Sequence, residues 1–177
     1  ADDRDDLDGR ALLRWLPTDS WDVMLSGEFQ RYRDGNACFA PLDEVRRNAH
    51  DVNVDFEGSA EQDKNCQNLK VLHKGEWFTF TAISGLRHEK YDDENDLDFS
   101  SADLMRIQMS KDTDIFRQEI RIASTKNSNP LEWLAGVYYF DEEEDSKVSF
   151  DMRQGIPPYG IPPFKNITDS TTDTKGY

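Results

Sequence analysis

The chain has 177 residues, a formal net charge of −15 and 36% hydrophobic residues. A mean hydropathy of −0.83 is low for a packed soluble core of this length, yet 11% aromatic residues in patterned runs argue against disorder. The acidic balance disfavours nucleic acid and anionic membrane surfaces as partners, and the longest uncharged runs fall far short of the roughly 20 residues of a spanning helix, though they suffice for a transmembrane strand of about 9–11.

Taken in order, residues 8–16 alternate: Gly9, Ala11, Leu13 and Trp15 fall on one face and Arg10, Leu12, Arg14 and Leu16 on the other. This period of two predicts a strand. Pro17-Thr-Asp-Ser20 is a turn by composition, and 21–33 is the returning strand, with Val23, Leu25, Gly27 and Phe29 on one face. Residues 34–65 carry no sustained period and are expected to form a long loop. A strand over 66–74, a short reversal at Lys74-Gly75 and a strand over 76–91 follow, the last with Phe78, Phe80, Ala82 and Leu86 alternating against Thr79, Thr81, Ile83 and Gly85. A second acidic loop is expected over 92–112. Phe116, Ile120 and Ile122 then share a face opposite Arg117, Glu119 and Arg121. After turn formers at 125–130, the run 131–141 returns as the sixth strand. A third polar region is expected over 142–173, where the proline pairs at 157–158 and 162–163 oppose a regular ladder. Thr174-Lys-Gly-Tyr177 has the composition of the start of a further strand.

Three phrases carry a resemblance. Gly9-Arg-Ala-Leu-Leu-Arg-Trp-Leu-Pro-Thr-Asp19, Phe78-Thr-Phe-Thr-Ala-Ile-Ser-Gly-Leu-Arg-His88, and Phe116-Arg-Gln-Glu-Ile-Arg-Ile-Ala-Ser124 followed by Leu131-Glu-Trp-Leu-Ala-Gly-Val-Tyr-Tyr-Phe-Asp141 resemble barrel hairpins of TonB-dependent outer-membrane receptors. The second departs from the family pattern, with Leu86 where an aromatic residue usually sits. The resemblance spans roughly 9–33, 66–124 and 131–141 and leaves the loops uncovered. It implies an all-β, antiparallel up-and-down meander: about six strands of a transmembrane barrel with short periplasmic turns and long extracellular loops. It also implies a fragment without the plug, belonging to a transporter that imports a scarce nutrient such as a ferric siderophore. The implied partners are outer-membrane lipid, the TonB protein acting through a plug outside this chain, and an iron-siderophore or similar small ligand. No signal peptide is expected in 1–6, which are acidic and polar; the chain reads as mature or cut from something larger. A soluble β-sandwich binding module and an outer-membrane barrel enzyme are the alternatives.

The candidate site residues follow from that setting. Cys38 and Cys66 are expected to form a disulfide, because disulfides persist outside the cytoplasm. Arg87, His88, Lys90 and Tyr91 lie near the loop end of their strand, where a ligand descending from outside would meet them. Trp15, Trp21 and Trp133, with Phe78 in place of Trp77, are expected on the lipid face as an aromatic girdle near the short turns, and Tyr32 and Tyr91 near the opposite ends. The acidic run Asp92–Asp98 fails the calcium-loop test, because Leu97 stands where glycine is needed, and is expected to be a solvated loop. No catalytic motif is present, and neither catalysis, a cofactor nor a bound metal is expected.

Overall fold

The computed structural model describes residues 4–35, 42–47, 54–125, 131–155 and 160–177. Its strands are β1 (Arg4–Thr18), β2 (Trp21–Asp34), β3 (Ser59–Lys74), β4 (Phe78–Asp96), β5 (Met105–Ser124), β6 (Leu134–Met152) and β7 (Phe164–Gly176). One short helix, α1 (Leu42–Arg47), lies between β2 and β3. All seven strands form one sheet in the order β1-β2-β3-β4-β5-β6-β7, and every neighbouring pair is antiparallel. This is the expected up-and-down meander, and all three expected hairpins and both expected inter-hairpin pairings are present.

Strand number and length differ from expectation. There are seven strands rather than six, and each runs deep into a segment expected to be a loop. β3 begins at Ser59, inside 34–65; β4 and β5 leave only 97–104 of the expected loop 92–112; β6 and β7 occupy most of 142–173. The physical reason is that period-two patterning is visible only where one face is apolar and the other polar. In these outer halves both faces are polar, so the alternation has no contrast while the backbone ladder continues. The second reversal sits at 75–77 rather than 74–75, and the expected turn residues 126–130 lie outside the described residues.

Each strand contacts only its sequence neighbours, so among the described residues no second layer covers the sheet and β1 does not meet β7. Met152, at 7% relative exposure, is the one buried hydrophobic residue among those described. A β-sandwich would bury Phe78, Phe80, Ile120 and Ile122 against a second sheet; here Phe78, Ile120 and Ile122 are exposed and Phe80 is half-buried. The sandwich alternative is therefore set aside for this chain. Among the described residues no helix is long and apolar enough to cross a membrane, which says nothing about crossing by strands.

Candidate functional site: two unlike faces and an acidic loop

Opposed residues of an antiparallel pair point to the same side of the sheet, so the register sorts the side chains. One face carries the rows Trp15-Val23-Val71-Ala82-Ile120-Val137 and Leu13-Leu25-Leu69-Ser84-Gln118-Tyr139. The other carries Arg14-Met24-Lys70-Ile83-Glu119-Tyr138 and Arg10-Glu28-Cys66-Arg87-Ile115-Glu142. Along β2 the exposed positions are Trp21, Leu25, Phe29 and Arg31, while Asp22, Met24, Ser26, Glu28, Gln30 and Tyr32 between them are half-buried. β5 repeats this, with Asp112, Asp114 and Phe116 exposed against Lys111, Thr113 and Ile115. A single layer shields one side only by curving, so the mostly apolar face is convex and the polar face concave.

The apolar character of the convex face is confined to its short-turn half. It runs from the level of Phe78 to that of Leu86, eight residues or about 26 Å of strand. Ser84 is accommodated within it by donating to Gln118 Oε1 at 2.5 Å. By register Trp15, Trp21 and Phe78 fall on this face near the short turns, while Trp77 and Trp133 lie just outside β4 and β6. The turns are tied together by backbone bonds: Lys74 N–H to Ser20 C=O (2.8 Å), Thr125 N–H to Trp77 C=O (3.1 Å) and Ser124 N–H to Trp133 C=O (2.8 Å). Trp21 packs on His73 with ring centroids 4.4 Å apart. At the far edge of the belt a second aromatic set appears that the sequence reading missed. The Phe116 and Tyr139 rings are 6.0 Å apart, and those of Tyr139 and Tyr177 are 5.7 Å apart. Tyr32 and Tyr91, expected at that edge, instead stand opposite Gln62 on the concave face.

The four rim candidates divide two and two. His88 and Lys90 project from the convex face, Arg87 and Tyr91 from the concave one. His88 Nδ1 lies 2.9 Å from Asp114 and 3.5 Å from Asp112, beside a groove that also touches Phe116, Glu143 and Lys175. On the concave face Arg87 is ion-paired with Glu89, and Gln62 Nε2 donates to the same carboxylate at 2.5 Å. Lys111 pairs with Glu144 at 3.1 Å. Burial, and then the charge of Asp93, raise the Tyr91 phenol above its ordinary pKa, so it stays a neutral donor. Arg87 Nε is buried without a hydrogen-bond partner. The concave set is therefore a partly desolvated polar surface in which the ion-paired Arg87 keeps one buried N–H without a partner.

Cys38 lies outside the described residues. Cys66 stands on the concave face, opposite Glu28 of β2 and Arg87 of β4, with no sulfur partner among the described residues.

The acidic run is not a solvated loop. Asp96 ends β4 at 8% relative exposure. Asp98 closes the β4–β5 connection by accepting from Ser100 N–H (3.1 Å), Ser100 Oγ (2.5 Å), Leu104 N–H (3.2 Å) and Met105 N–H (2.9 Å). Burial opposes its charge but is outweighed by these bonds, which hold its pKa below the usual carboxylate value. The connection also binds its neighbours: Asp55 N–H donates to Ser100 C=O at 3.0 Å, and Arg153 N–H to Leu104 C=O at 2.8 Å.

The fold has a solved counterpart. The crystal structure of the ferric yersiniabactin uptake receptor FyuA from Yersinia pestis superposes with a TM-score of 0.66 over 97% of this chain, at 12% sequence identity. The likeness establishes the fold alone. This chain covers 34% of that receptor. No sequence-family profile matches the chain.

Proposed function

We propose that this chain is part of the barrel wall of a TonB-dependent outer-membrane receptor, and that the whole receptor binds and imports a scarce nutrient such as a ferric siderophore. The observation that carries the reading is the convex face: an uncovered apolar belt edged by aromatic residues on a single-layer sheet without a core. In water such a sheet would expose its large apolar side chains at a cost of roughly 25 cal/mol per Å². In a bilayer the same face is solvated by lipid, and only the lumen need be polar.

In this setting Trp15, Trp21, Trp133 and Phe78 form the girdle on the short-turn side, and Phe116, Tyr139 and Tyr177 the girdle at the other edge. Arg87 and Tyr91 face the lumen and are the rim residues that meet a ligand. His88 and Lys90 face outward, above the hydrocarbon. The work of transport belongs to the whole receptor, with TonB acting through a plug. The solved counterpart is an uptake receptor, which supports a transporter over a barrel enzyme.

The test is fractionation of cells producing the protein, followed by iron-limited growth. The protein is expected in the outer-membrane fraction, with a heat-modifiable mobility. Uptake of one ferric siderophore is expected to require both the protein and TonB. Recovery as a soluble species, or uptake indifferent to its deletion across a panel of iron complexes, haem and cobalamin, would defeat the reading.

A further inference from the structure

The end of β4 holds a charge that its surroundings do not answer. Oxygens of Asp55, Asp96 and Asp98 lie within 4.8 Å of one another. Asp96 Oδ1 accepts Asp98 N–H at 3.0 Å, but Asp96 Oδ2 is buried and has no hydrogen-bond partner. The register sets Arg106 directly opposite Asp96. Its guanidinium lies 3.1 Å from Asp55 and 3.3 Å from Asp103 and 4.2 Å over the Phe56 ring, and its Nε is buried without a hydrogen-bond partner. Arg153 is likewise taken up by Asp103, at 3.2 Å. Three carboxylates thus meet with one guanidinium held at their edge by Asp55, and one carboxylate oxygen, shut off from water, points at nothing.

A buried, unpaired carboxylate oxygen costs several kcal/mol unless something positive meets it. All the available donors are hard oxygens, the preference of calcium and magnesium rather than of zinc or copper. Opposite ligands around calcium, each at 2.3–2.6 Å, stand about 4.6–5.2 Å apart, and the oxygens here fit inside that span.

We propose that Asp96 and Asp55, beside the charge of Asp98, bind a calcium ion that joins the β2–β3 connection to the β4–β5 connection. Asp96 supplies the free oxygen. Asp98, already saturated by loop amides, contributes a fixed negative wall, and Asp55 brings in the neighbouring connection. The exposed trio His88, Asp112 and Asp114 has no buried open oxygen and serves as the control.

The test is calorimetric titration of the protein in detergent micelles with calcium chloride, then magnesium chloride, together with thermal unfolding in each salt. One saturable calcium site is expected, weakened at least tenfold in Asp96→Asn and in Asp55→Asn and unchanged in Asp112→Asn. Asp96→Asn should also melt higher than the parent in chelator yet gain nothing from calcium. A merely structural Asp96 would not give that crossover. Absence of saturable binding, or binding indifferent to Asp96→Asn and Asp55→Asn, would overturn the site. If Asp96→Asn lowers the melting temperature in chelator, Asp96 is the partner of Arg106 instead and the proposal fails.

Discussion

The ring of Phe29 lies flat over Gly9. The two residues are opposed across β1 and β2, and a Cβ added to Gly9 would stand 2.3 Å from Phe29 Cε1. The glycine is there for close approach, and the aromatic ring covers the backbone that it leaves bare. Gly9→Ala should push the exposed ring aside at a cost below the about 1–3 kcal/mol typical of overpacking in a core. Phe29→Ala should remove most of that penalty in the double variant. Urea unfolding of the four proteins in micelles measures the cycle, and purely additive effects would contradict the contact.

Ile120 and Ile83 are both isoleucines on neighbouring strands, but they point to opposite faces. Ile120 belongs to the convex row with Trp15 and Val137, and Ile83 to the concave row with Lys70 and Glu119. Ile120→Arg should therefore cost about 2–4 kcal/mol in a bilayer, the penalty for arginine on a lipid face at mid-depth. Ile83→Arg, with Glu119 directly across, should cost much less. Refolding into lipid vesicles compares them, and equal penalties would mean that the faces are misassigned.

The three hairpins could be read from the sequence because Trp15, Val23, Val71, Ala82, Ile120 and Val137 alternate with charges, and that contrast is what a one-sided environment writes into a strand. Beyond Leu86 the contrast is gone. Asp92 and Asp93 face opposite ways yet look alike, so the ladder from Asp92 to Asp96 and its partner from Arg106 to Ser110 were invisible as strand. The rim set was legible as a group of residues near a loop. Its division was not, because His88 and Arg87 are consecutive and only the register puts them on different faces. The closure by Asp98 depends on backbone amides six and seven residues further on, a contact no spacing rule announces.

Acid should act on two carboxylates in opposite directions. Hydrogen bonding to Arg33 lowers the pKa of Asp63 below its ordinary value, with Arg31 adding to the effect. A lowered folded-state pKa gives stability that is present above the unfolded value, near 3.9, and lost as pH falls through the folded one. Asp63→Asn should flatten that acid limb. Asp96 has a raised pKa, chiefly from burial, so its charge destabilises the fold at neutral pH and protonation relieves this as pH falls through the folded value toward the unfolded one. Asp96→Asn should remove this gain on mild acidification. Melting temperatures across pH 3–7 in chelator test both signs.

Thiol counting tests the expected disulfide, since Cys38 lies outside the described residues. A Cys38–Cys66 bond leaves no free thiol in the unfolded, unreduced molecule; two free thiols per molecule would set the pairing aside.

The strands are 13 to 20 residues long, whereas about 9–11 suffice to cross a bilayer. The surplus lies almost wholly on the long-loop side. In the proposed setting the wall therefore continues past the lipid as a stiff parapet, hydrogen-bonded strand to strand and studded outside with Asp63, Asp112, Asp114, Asp145 and Asp173. Arg31, His88, Lys90 and Lys147 stand among these carboxylates on the same face, so a visitor approaching from the side meets a fence of paired charges before it reaches any loop. Only from above, over the top of the fence, is the way to Tyr91 and Arg87 open.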